Sequence, residues 1–103
     1  PIALVDKNVP SLFIITDGFT PETISNINEI RSRKGPVVII THNSIKDKFT
    51  DLTNVIFSCR DTDEQYSQSL LLNIVLQLLS YYMAVKKGIN PDRPKNLAKC
   101  VTV

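Results

Sequence analysis

The sequence predicts an α/β unit of three layers, with about three parallel strands, flanking helices, one long buried C-terminal helix and an irregular tail. Three observations carry this prediction. Two unbroken apolar runs, Leu12-Phe13-Ile14-Ile15-Thr16 and Val37-Val38-Ile39-Ile40-Thr41, bracket a segment with helical spacing. Short runs of this kind are expected of strands covered on both faces, and strand–helix–strand order favours a parallel pair. The stretch from Asp63 to Lys87 then holds neither Gly nor Pro and is apolar on nearly every side, as in a helix enclosed by other layers.

Each element has local signals. Asp17-Gly18-Phe19 reads as a turn after the first strand. Thr20-Pro21-Glu22 is a helix start: a hydroxyl to cap free amides, a proline at the first helical position and a carboxylate at the positive end of the dipole. Ile24, Ile27 and Ile30 form one apolar stripe. Arg31, Arg33 and Lys34 suit the last turn, and Gly35-Pro36 is the expected stop. A short helix is expected over Ser44 to Phe49, and a third strand over Asn54 to Ser58.

The long helix runs from about Asp63 to Lys87 and closes on Lys86-Lys87-Gly88. Its uninterrupted apolar part, Leu70 to Val85, spans about 24 Å at 1.5 Å per residue, short of a hydrocarbon core of roughly 30 Å. It also carries Asn73, Gln77 and Ser80. A buried or interface helix is therefore expected, and no membrane. Pro91 and Pro94 exclude regular structure in the tail after Gly88, apart from one turn at Asn96 to Lys99.

The chain has 103 residues, 43% hydrophobic and 21% charged. This composition fits one folded domain with a modest core, not disorder. A net charge of +2 is too small to imply nucleic acid. The two cysteines, Cys59 and Cys100, have no paired spacing, and His42 is the sole histidine, so neither a disulfide framework nor a zinc site is indicated. Reduced thiols and a cytoplasmic setting follow as expectations. The opening Pro1-Ile2-Ala3-Leu4-Val5 begins inside an apolar run without Met, as in a piece of a longer polypeptide.

Ligands of open α/β sheets sit at the carboxyl ends of the strands, where Thr16-Asp17-Gly18 and Thr41-His42-Asn43-Ser44 fall. The second cluster has donors for a phosphate, but the same residues are ordinary turn chemistry, which is the favoured reading. His42, with no neighbouring carboxylate in sequence, reads as a surface loop residue. Asp61, Asp63 and Glu64 read as a solvated loop or helix start. Tyr81 and Tyr82 read as packing, and both cysteines as small buried residues.

The tail carries a resemblance. Pro94, Asn96, Leu97, Ala98, Lys99, Val101, Thr102 and Val103 fall in register with the C-terminal signature of the glutamine–fructose-6-phosphate aminotransferase (isomerising) family, also called glucosamine-6-phosphate synthases. Pro1 to Asp6, Ile30 to Gly35, Leu76 to Tyr81 and Lys87-Gly88 resemble the same family upstream. The resemblance therefore spans the chain.

It implies the later half of a second sugar isomerase (SIS, flavodoxin-like) subdomain over residues 1–88. Residues 89–103 would be a tail contributing to the sugar site. It also implies a parent enzyme that makes glucosamine 6-phosphate and glutamate from fructose 6-phosphate and glutamine, without a cofactor. The fragment's other partner would be the remainder of its own polypeptide, and a homo-oligomer is expected. Lys99 matches the family's active-site lysine, associated with opening the sugar and forming a Schiff base at the ketose carbonyl. Ala98 matches a segment lining that site.

Three departures are visible: Cys100 replaces the usual Ser, Lys95 replaces an Arg and its bidentate fork, and the chain stops at Val103, one residue before the usual Glu. The family's phosphate loops, general-base Glu and sugar-opening His match nothing here, so the isolated fragment is expected to be inactive. The rival reading is a non-catalytic module of the same fold that binds sugar phosphate or a partner. A receiver-like phosphate acceptor has only Asp17 in its favour.

Overall fold

The computed structural model describes residues 2–16, 20–93 and 95. Three strands form one parallel sheet in the order β1-β2-β3, with β1 at Ser11–Ile14, β2 at Val37–His42 and β3 at Ile56–Cys59. Helix α1 (Pro21–Ser32) joins β1 to β2, and α2 (Gln65–Lys86) follows β3. Short 3-10 turns occur at Ile2–Leu4 and Lys46–Phe49. This is the α/β architecture the sequence predicts.

Register explains the layers. Phe13 pairs with Ile39, which pairs with Ile56, so these three share one face of the sheet. They pack in one core with Ile27 and Ile30 of α1 and with Phe49, while Val5 closes its margin. The alternate row, Ile14, Ile40 and Phe57, faces the other way. There Phe57 shares a groove with Val75, Leu78 and Leu79 of α2. Helices α1 and α2 thus pack on opposite faces of the sheet.

The caps follow the expected chemistry with one exchange of roles. Thr20 Oγ1 accepts from the Thr23 amide at 3.2 Å, with Pro21 at the first helical position. At the other end of α1, Gly35 N–H reaches Ile30 O (3.1 Å) and Lys34 N–H reaches Arg31 O (2.8 Å), a Schellman pair. The left-handed residue is Lys34 (φ 62°), not Gly35. Gly35 is demanded by space instead: a Cβ there would lie 2.6 Å from Val5 Cγ1 and 2.9 Å from Ile30 Cγ2. Helix α2 ends on the same pair of bonds, with Gly88 (φ 70°) in the left-handed position.

Two burial expectations are corrected. Strand β1 is covered on one face only: Leu12 and Ile14 are 40% and 48% exposed. Helix α2 contacts β2 and β3, so it leaves the near face of the edge strand bare. Helix α2 itself buries only Gln68 and Leu72. Leu70, Ile74, Leu78, Tyr82 and Val85 form a second stripe that remains exposed. One three-stranded sheet covers only one side of a helix that is apolar almost all round. By length and composition α2 could also cross a membrane (22 residues, mean hydropathy 1.4). Tyr81 and Tyr82 meet edge to face at 5.4 Å but stay exposed, and so are not core packing.

Candidate functional site

Parallel strands end on one side of a sheet, so the loops after β1, β2 and β3 converge there. The end of β2 organises this region. Ile15 N–H still donates to Ile40 O (2.9 Å), one residue past the end of β1. Beyond it, side chains of β2 take over from the ladder. Thr41, fully buried, donates through Oγ1 to Ile15 O at 2.8 Å. His42 donates through Nε2 to the next carbonyl, that of Thr16. A carbonyl only accepts, so Nε2 carries the hydrogen of this bond.

His42 is therefore not a surface loop residue. It is the last residue of β2, paired in register with Cys59 and 7% exposed. Pairing with β3 extends the strand one residue past the apolar run, and that brings the imidazole under the sheet's carboxyl edge.

Next to it lies a cleft of about 370 Å³ lined by Thr16, His42, Thr62, Asp63, Gln65, Gln68 and Ser69. Its wall is built by Gln68, which is buried in the first turns of α2. The Gln68 amide nitrogen donates to Cys59 Sγ (3.1 Å) and Arg60 O (3.4 Å). Its oxygen accepts from Thr62 N–H (3.0 Å) and Thr62 Oγ1 (3.2 Å). One side chain thus fastens the β3–α2 loop to the sheet. No motif in the sequence marks Gln68; its signal there is a polar residue on the helix face that continues as Leu72, Val75 and Leu79.

The Thr/Asn/Ser cluster is used as turn chemistry. Asn43 N–H donates to Cys59 O (2.9 Å). Ser44 donates to Asp61 through its amide (3.1 Å) and its hydroxyl. The donors a phosphate would need at Ser44 are already taken by a carboxylate. Of the other acidic residues, Glu64 accepts from Ser67 Oγ (3.4 Å) and Asp63 lines the cleft. Among the described residues no group of three or more His, Cys, Asp or Glu side chains could hold a metal ion.

Cys59 is half-buried, and its thiol donates to Thr41 O at 3.6 Å. Desolvation pushes its pKa up from the ordinary 9.0, the nearby Asp61 charge adds to this, and the Gln68 hydrogen bond opposes it. Lys99, Ala98, Cys100 and Asp17 lie outside the described residues. Lys95 is exposed.

Comparison with known proteins agrees with this architecture. The family model described as "SIS domain" matches residues 1–87. Proteins named glutamine–fructose-6-phosphate aminotransferase (isomerizing) match the whole chain. They include those of Francisella tularensis, 38% identical over 104 residues, and Chlorobaculum tepidum, 42% identical over 104 residues. A mimivirus protein named as a probable enzyme of this kind is 41% identical over the same length. The chain spans only 16–17% of the length of these relatives. With a three-layer parallel α/β unit whose loops converge on one edge, and a family match over 87 of its residues, the chain belongs to the SIS domain family.

Proposed function

We propose that these residues are part of an aminotransferase that couples amino transfer from glutamine to ketose–aldose isomerisation of fructose 6-phosphate, giving glucosamine 6-phosphate and glutamate. One observation carries the reading. The SIS match ends at residue 87, whereas the similarity to proteins of that name continues through residue 103. The tail is thus shared with the aminotransferases beyond the general SIS unit. This favours a division into residues 1–88, an isomerase layer, and residues 89–103, a tail serving the sugar site.

Within this reading Lys99 is the amine that opens the sugar and condenses with the ketose carbonyl, and Ala98 lines the site. A solvated lysine, with a pKa near 10.4, is only about 0.04% deprotonated at pH 7. Desolvation or neighbouring cations must lower its pKa for attack. The reaction needs residues from the rest of the polypeptide, so residues 1–103 alone are inactive. The exposed stripe of α2 is a contact surface for the rest of the polypeptide or for a second subunit. A cytoplasmic setting fits the phosphorylated substrate and the free thiol of Cys59.

The test is Lys99→Arg in the full-length protein, with glucosamine 6-phosphate formation and glutamine hydrolysis assayed separately. Loss of synthesis with some hydrolysis retained supports the enzyme. Synthesis unchanged by Lys99→Arg removes Lys99 from the chemistry, and no synthesis by the unsubstituted full-length protein moves the reading to a non-catalytic sugar-phosphate-binding or interaction module.

A further inference from the structure

We infer that Asn90 is a positioning residue for Lys99, holding a turn that sends the chain back along α2 and so sets where the tail departs. The inference rests on the proposed reaction, in which Lys99 is the reacting amine. The reversal begins at the end of α2. Ile89 N–H donates to Ala84 O (2.9 Å) and Gly88 N–H to Val85 O (3.0 Å), with Gly88 at φ 70°. This paired closure turns the chain out of the helix. Had the chain continued along the axis, Pro91 would lie about 15 Å beyond Tyr81, at 1.5 Å per residue. Instead Pro91 lines one groove with Leu76, Gln77, Ser80 and Tyr81. Residues 89–91 therefore run back beside the helix they have just left.

A second turn follows at once, and Asn90 holds it twice. Its carbonyl accepts from Arg93 N–H (3.3 Å), and its Oδ1 accepts from Asp92 N–H (2.9 Å). Asn at the first corner and Pro at the second are the residues such a turn favours. The Asn side chain supplies an acceptor to the backbone, and the Pro91 ring fixes its own φ. Asn90, Asp92 and Arg93 are exposed, so the turn adds little to the core. What it fixes is direction. Lys99 stands six residues past Arg93, a tether of about 20 Å when fully extended. The approach of an amine on so short a tether depends on where the tether starts. A turn ordered in advance also removes conformational freedom that would otherwise be lost when the amine meets its carbonyl.

The test uses Asn90→Ala and Asn90→Asp in the full-length protein, with glucosamine 6-phosphate formation, glutamine hydrolysis and thermal denaturation measured on each. Asn90→Ala is expected to lower kcat for synthesis roughly tenfold. The KM for fructose 6-phosphate, glutamine hydrolysis and Tm are expected to stay unchanged. Asn90→Asp keeps the Oδ1 acceptor and is expected to restore most of the rate. An unchanged kcat in Asn90→Ala, or equal losses in Asn90→Ala and Asn90→Asp, overturns the inference. So does a fall in kcat matched by a fall in hydrolysis or in Tm, which marks a general loss of structure. Lys99→Arg, assayed alongside, separates the two readings. Synthesis lost in Lys99→Arg but intact in Asn90→Ala overturns the inference and leaves the proposed reaction standing. Synthesis intact in Lys99→Arg overturns the assignment of Lys99 itself, and the inference with it.

Discussion

Gln68 accepts two hydrogen bonds from Thr62, at 3.0 Å from its amide and 3.2 Å from its hydroxyl, across the junction between the β3 loop and α2. With the two bonds it donates to Cys59 and Arg60, it uses every polar direction of its amide in a buried position. Replacing it with leucine keeps the volume and removes all four. Gln68→Leu in the full-length protein is expected to cost about 1–3 kcal/mol, the penalty for buried groups left unpaired. Hydrogen exchange over residues 60–68 checks it, with the Thr62 amide losing most of its protection.

Three substitutions at the helix ends separate steric from conformational demand. Gly35→Ala is expected to destabilise by about 1–3 kcal/mol, because its methyl overpacks a filled site against Val5 and Ile30. Gly88→Ala meets nothing within 4 Å, so its cost is only that of the left-handed backbone, about 1–2 kcal/mol. Lys34→Gly, at φ 62°, is expected to stabilise by about 1 kcal/mol. Thermal denaturation of the three variants reads the order, and a stabilising Gly35→Ala contradicts it.

The Cys59 thiol has a folded pKa above its ordinary 9.0 because burial disfavours the thiolate. Alkylation by iodoacetamide at pH 7.5 is expected to be slower than that of an exposed thiol. The folded state holds this proton more tightly than the unfolded chain. Cys59 therefore leaves stability unaffected well below pH 9, and lowers it as pH rises through 9 toward the folded pKa. Denaturant titrations from pH 7 to 10, compared with Cys59→Ser, check the sign; a steeper alkaline loss in the serine variant contradicts it.

The bare stripe of α2 predicts association of residues 1–103 prepared alone. Leu78 and Tyr82, 50% and 65% exposed, lie one turn apart beside the Phe57 groove. An exposed apolar surface of this extent favours contact with another protein surface. Sedimentation at rising concentration is expected to show self-association, reduced by Leu78→Lys with Tyr82→Lys. A monomer at every concentration contradicts the prediction.

By itself the sequence determined the elements, their order and their caps. Apolar runs, helical spacing and the Thr20-Pro21 start are local signals, and strands β1 to β3 with helices α1 and α2 formed where those signals stand. The tail signature was equally legible, since a linear motif needs no contacts to be read. Tertiary structure alone decided what touches what. His42 became a buried donor to Thr16 because β3 pairs one residue past the apolar run of β2. Gln68 became the fastener of the cleft because α2 turns that position toward Cys59 and Thr62. Leu12, Ile14 and the outer stripe of α2 stayed exposed, because hydrophobicity states a demand for cover while only packing says whether a neighbour meets it.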